Sequence, residues 1–115
     1  MKEGDVILAQ LPQANGKMKN RPAVFLREMP PPYRDMLVCG VSTQLQQYVI
    51  NFDDIISPPD ADFDSSGLQS KSVIRLGFLA VIPRNRVLGS IGSISSKRHK
   101  SLLKKLCDYF NIHSS

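Results

Sequence analysis

The apolar residues of this chain come in runs too short for helices, and each run is cut off by Pro, Gly, Asn or charge. Val6-Ile7-Leu8 within Asp5 to Leu11 and Val24-Phe25-Leu26 within Pro22 to Arg27 have the lengths and branched or aromatic content of strands. Strands are expected again over Met36 to Thr43 and Gln47 to Phe52, and over the long apolar run Ser72 to Ile82. Gly77 interrupts that last run, as a bulge or a bend at a barrel corner would. Only Ser96 to Phe110 repeats with helical spacing. Leu102, Leu106 and Phe110 recur every four residues, Leu103 and Cys107 widen the stripe, and Ser95 or Ser96 can cap the start. Five or six short strands with one terminal amphipathic helix predict a mainly β fold, a small, strongly bent sheet or barrel covered by that helix.

The connecting segments are polar. Pro12 to Asn20 contains Asn15-Gly16, and its Lys17 and Lys19 make it a basic loop within reach of a polyanion. Glu28 to Arg34 carries three consecutive prolines and cannot donate to a ladder, so it reads as a stiff connection. Ser57 to Gly67 reads as a third loop. At 115 residues the chain is expected to be one domain, 1–115, able to bury a core without metal or disulfide staples. No run is long enough to span a bilayer and the start lacks the apolar stretch of a secretion signal, so a cytoplasmic protein with no membrane partner is expected. Cys39 and Cys107 both lie among apolar neighbours and are expected to be reduced core residues.

Charge narrows the class of partner. Lys and Arg number 15 against 10 acids, a net charge of +5, which favours a polyanion. Residues 35–70 hold six Asp and no Lys or Arg, while 84–107 hold seven basic residues and no acid, so the molecule is expected to be electrically polarised. There is no phosphate-binding Gly loop, no Cys-x-x-Cys and no His-Glu-x-x-His, which leaves nucleotide hydrolysis and zinc chemistry unsupported. Asp60, Asp62 and Asp64 begin like a calcium loop, but Ser65 and Lys71 stand where Gly and Glu are needed, so they read as solvated carboxylates. His99 and His113 likewise read as solvated. No metal and no cofactor is expected.

Arg21 precedes Pro22, which disfavours the helical conformation and holds Arg21 extended at a strand start. A planar, permanently charged guanidinium on rigid backbone suits a phosphate and its transition state, although an ordinary surface Arg would look the same. Val41-Ser42-Thr43-Gln44 places two hydroxyls and an amide at the end of an apolar strand, where they serve either a substrate or the turn's own backbone. Strand alternation puts Arg75 on the face opposite Ile74 and Leu76, facing either solvent or a phosphate. Phe52 and Phe63 are available either for the core or for base stacking.

Gly4-Asp5-Val6-Ile7-Leu8, Arg21-Pro22-Ala23-Val24, Leu37 through Gln44 and Ser72-Val73-Ile74-Arg75-Leu76, taken in order and with their spacings, resemble the MazF/PemK family of toxin endoribonucleases. The resemblance extends through Gly67-Leu68, Ile91-Gly92-Ser93-Ile94 and the closing helix. It implies an SH3-like barrel, a homodimer binding single-stranded RNA across both subunits, and a cognate antitoxin protein that occludes the site. DNA would be met only through an antitoxin complex. The family's catalytic Arg and strand-end hydroxyl match Arg21 and Ser42. Its early acid matches Asp5, and its later Arg matches Arg75. Metal-independent cleavage would leave 2′,3′-cyclic phosphate and 5′-OH ends. Three departures stand out: Gly77 where some members carry a catalytic Asp, no His in the first loop, and Ser42 where Thr is more frequent. Two competing readings are a barrel that binds RNA or a protein without cutting, and a gyrase-poisoning toxin of the same fold. The latter's C-terminal Trp is missing, since the chain has none.

Overall fold

The computed structural model describes residues 1–111. Its elements are strands β1 (Asp5–Pro12), β2 (Met18–Glu28), β3 (Met36–Ser42), β4 (Asp54–Ile56), β5 (Ser72–Ile82) and β6 (Val87–Ser93), a one-turn helix α1 (Phe63–Ser66) and the helix α2 (Ser96–Phe110). The strands form one antiparallel sheet in the order β4-β5-β3-β2-β1-β6. The mainly β class and the terminal helix are as the apolar runs imply. The sheet is curled into a half-barrel, and its two edge strands, β4 and β6, do not pair with each other.

The closing contact is made by α1. Ser65 Oγ donates to the Ser93 carbonyl at 3.1 Å, and Asp62 Oδ2 accepts from Ser95 N at 2.9 Å. Gly67 caps α1 in the left-handed region at φ 75°, and a Cβ there would overlap the Ile91 carbonyl oxygen. Backbone lies on backbone at this seam, so glycine is required there.

Strand periodicity separates two buried layers. Ile7, Ala9, Leu11, Ala23, Phe25 and Val38 share one face, while Val6, Val24, Leu26, Cys39 and Val41 share the other with Leu102 and Leu106 of α2. Burial on both faces explains why these strands read as continuous apolar runs. Ser95 Oγ accepts from Arg98 N at 3.1 Å and so caps α2.

Six expectations need correction. The first loop is only residues 13–17, because Gln13 N bonds the Lys17 carbonyl at 2.8 Å and Asn15 Oδ1 takes Lys17 N, so Lys19 and Asn20 are strand residues. Gln47 to Phe52 is not a strand. Val49 and Ile50 are exposed, the chain turns at Asn51 with φ 65°, and the buried Asp53 carboxylate satisfies Val49 N and Leu76 N, both at 2.9 Å. The 57–67 loop contains α1. The helix stripe is narrower than its spacing suggests, with Cys107 and Phe110 exposed, while Cys39 is fully buried.

The fifth correction concerns charge. Asp60 and Asp62 are not free solvated carboxylates but, with Asp54, surround Arg98 of the basic segment at 3.0, 2.8 and 2.8 Å. The acidic and basic stretches fold against each other, which cancels part of the polarity seen along the chain. His99 is also not merely solvated: its Nε2 donates to the Leu26 carbonyl at 2.8 Å and ties α2 to β2. His113 lies outside the described residues. Among the described residues no helix is long and apolar enough to cross a membrane.

Candidate active site

The β2–β3 ladder runs from Glu28–Met36 to Ala23–Gly40 and stops. Two residues further on, the same register sets Arg21 across from Ser42, beyond the last paired residues and on the face carrying Ala23 and Gly40. β2 continues along β1 instead, Arg21 pairing with Ala9, while Ser42 pairs with Val73 of β5. The two side chains therefore flank a split in the sheet. Both line a cleft of about 490 Å³ that also takes in Lys19, Thr43, Gln44 and Gln69. Among the described residues no carboxylate lines it.

Arg21 Nε is buried, and among the described residues it is the side-chain nitrogen or oxygen left without a hydrogen-bond partner in a buried position. A buried N–H without an acceptor is costly, and this one belongs to a side chain that forms part of the cleft wall. Ser42 is 6% exposed, and its Oγ accepts from Gln44 N at 3.0 Å. That bond is the turn-satisfying role expected of a strand-end hydroxyl. It also occupies an acceptor site on Oγ and leaves the O–H free to donate.

Arg75 pairs with Gly40 at the other side of this group. Between Arg75 and Leu79, which pairs with Cys39, the three residues Leu76, Gly77 and Phe78 have no partner on β3. This excursion is the bend that Gly77 suggested. It brings the Phe78 ring over Gly40, where an added Cβ would lie 3.1 Å from the ring. The Arg21 and Arg75 guanidinium carbons sit 5.5 and 5.6 Å from the centroid of that ring, within cation–π range. A second cleft of about 400 Å³ opens here, lined by Arg21, Arg75, Gly77, Phe78, Gln13 and Gln47, again with no carboxylate among the described residues. A side chain at position 77 would meet nothing nearer than Phe52, at 3.9 Å.

The structure thus brings Arg21, Ser42, Thr43, Gln44 and Lys19 to one cleft and Arg75 to its neighbour. Lys17 is exposed on the 13–17 turn and lines neither. Asp5 is buried at the far end of β1, ~13 Å along the strand from Ala9, with its carboxylate on Lys2 N at 3.0 Å. It too lines neither cleft. Phe63 is buried in the core, and Phe52 is covered by Tyr109 with centroids 5.0 Å apart. Sequence reasoning missed Phe78 and Gly40. The bulge that joins them was signalled only by Gly77.

The family model described as PemK-like, MazF-like toxin of type II toxin-antitoxin system matches residues 2–110. Among solved structures, the Mycobacterium tuberculosis toxin MazF-mt6 is similar, with a TM-score of 0.68 and 19% identity over 96% of this chain and 99% of that one. At that identity the likeness concerns the fold. No curated protein matches the chain.

Proposed function

The chain belongs to the PemK-like, MazF-like toxins of type II toxin-antitoxin systems, and we propose that it acts as a sequence-selective, metal-independent endoribonuclease on single-stranded RNA. The family is one of toxins opposed by antitoxins and is generally endoribonucleolytic. The observation that supports cleavage by this chain is the pairing of Arg21, whose Nε has no hydrogen-bond partner, with Ser42 on the wall of one cleft.

In this reading a phosphodiester enters beside Arg21. The adjacent 2′-oxygen bonds to phosphorus and loses its proton, while the bond from phosphorus to the 5′-oxygen breaks and that oxygen gains a proton. The products are a 2′,3′-cyclic phosphate and a 5′-OH end. Arg21 stabilises the charge that builds on the non-bridging oxygens, where a pre-positioned donor acts most strongly. Ser42 donates its O–H to one of those oxygens, because Gln44 N already holds its Oγ in place. Neither group is a general base at neutral pH, so orientation and charge stabilisation carry most of the rate. Lys19, Thr43 and Gln44 contact the flanking nucleotides, and Gln69 and Asn20 present amides to base edges. Lys17 adds long-range attraction from its turn. Asp5 contributes by fixing the N-terminal segment through Lys2 N.

The toxin works as a cytoplasmic homodimer, cutting messenger RNA and so arresting translation and growth until its antitoxin covers the cleft. The test is incubation with a mixed RNA pool in EDTA, with new ends mapped by sequencing. Cyclic-phosphate ends at one short motif, absent with R21A, are expected. Intact RNA, or random nicks that need metal, refute the reading. A second reading, binding without cleavage, is favoured by the open position at Gly77. It predicts RNA binding with no new ends.

A further inference from the structure

We propose that Phe78 is a positioning residue, a ring that holds both Arg21 and Arg75 so that one RNA strand is gripped at successive phosphates as it passes from the first cleft to the second. This rests on the nuclease reading above and extends it to a second nucleotide subsite.

Two guanidiniums within 6 Å of one ring centre repel each other, and no carboxylate among the described residues relieves them. Neither Arg21 nor Arg75 makes an ion pair among the described residues, in contrast to Arg27, Arg84 and Arg98. The negative face of an aromatic ring offsets part of that repulsion without neutralising either cation, so both stay available to an anion. A carboxylate in the same place would compete with phosphate.

The ring's position follows from three other features. Gly40 has no side chain, and the ring lies on its bare backbone. The three-residue excursion of β5 carries Phe78 back over β3. Asp53 Oδ1 takes the Leu76 N–H that the excursion leaves without a ladder partner, at 2.9 Å. Arg21 lines both clefts, which makes it the shared wall between them. Each cleft falls in the size range of small-ligand sites.

A ring that only filled the end of the core would be replaceable by any apolar group of similar volume. The experiment therefore compares F78L, which keeps bulk and loses the π face, with F78Y, which keeps both. Binding is read with an uncleavable 2′-O-methyl RNA oligonucleotide, and cleavage with its 2′-OH counterpart. F78L is expected to weaken binding and kcat/KM by ~10-fold while F78Y stays near wild type. In an R75A background the F78L loss should shrink, since one of the two held cations is gone. Should F78L fail to fold, G40A displaces the ring by tenths of an ångström and should weaken binding in the same direction.

F78L that binds and cuts like wild type, or that loses equally with and without Arg75, overturns the proposal and leaves the nuclease reading standing. Wild type that binds the oligonucleotide but never cuts overturns the nuclease reading, and the binding arm still decides the role of Phe78. Wild type that binds no RNA overturns both.

Discussion

Arg21 on β2 and Ser42 on β3 stand opposite each other just past the last paired residues of their strands, one turning to β1 and the other to β5. A sheet that parts between two strands leaves side chains facing a gap that would otherwise be filled by ladder. The guanidinium and the hydroxyl occupy the walls of that gap.

If they act together on a phosphodiester, R21A should lower kcat by ~100- to 1,000-fold, as loss of one pre-positioned charge-stabilising donor does. R21K should recover little, since an ammonium lacks the planar fork. S42A should lose less than R21A and S42T should stay active. Single-turnover cleavage of a labelled oligonucleotide measures all four. An R21A protein that cuts at the wild-type rate would remove the proposed site.

Arg98 should be the most sensitive charged residue for stability. Its guanidinium meets Asp54, Asp60 and Asp62, and R98M would leave three carboxylates facing one another. A loss of ~3 kcal/mol is expected, which for a domain of this size lowers Tm by on the order of 10 °C or more. Thermal melting at neutral pH is the measurement, and an unchanged Tm would mean the cluster is only solvated charge.

The same cluster predicts an acid limb. Hydrogen bonds from Arg98, outweighing the burial that opposes them, lower the Asp62 carboxyl from its ordinary 3.8 to about 2, with Ser95 N assisting. A folded pKa below the unfolded one stabilises fully above the unfolded value and loses that stability as pH falls through the folded one. Roughly 2 kcal/mol should therefore vanish between about pH 4 and pH 2. D62N should be less stable at neutral pH and show a shallower loss over that window. Denaturant titrations at stepped pH read both.

Gly67→Ala should be far worse than an ordinary turn substitution. It combines the left-handed φ of 75° with overlap on the Ile91 carbonyl, so it should part α1 from β6. A cost of ~3 kcal/mol is expected from strain and displaced backbone together. Gly16→Ala shares the positive φ but has open space around it, and should cost about 1 kcal/mol. Equal Tm shifts for the two would show that the seam is loose.

The cysteines should separate chemically. Burial pushes the Cys39 thiol up to about 12, whereas Cys107 is exposed on α2. A thiol reagent at pH 8 should label one Cys per native chain and two in denaturant, and C107S should abolish native labelling. Native labelling of both would place Cys39 outside the core.

Much of this molecule was determined by local sequence. The apolar runs marked β1, β2, β3 and β5 and the spacing from Ser96 to Phe110 marked α2, because strand alternation and helical period act over a few residues, whereas Arg21 and Ser42 were joined only by the family resemblance. What remained to the tertiary structure were relations between distant segments. Gln47 to Phe52 has strand-like composition, but its N–H groups at Gln47, Tyr48 and Phe52 bond to turn carbonyls and that of Val49 to Asp53. Asp60 and Asp62 read as free until Arg98, 38 and 36 residues later, folds between them. Phe78 becomes part of the cleft only because β5 slips by three residues against β3, above a glycine that carries nothing to block it. Register, charge pairing and ring placement are decided by which segments meet, and no local pattern encodes the partner.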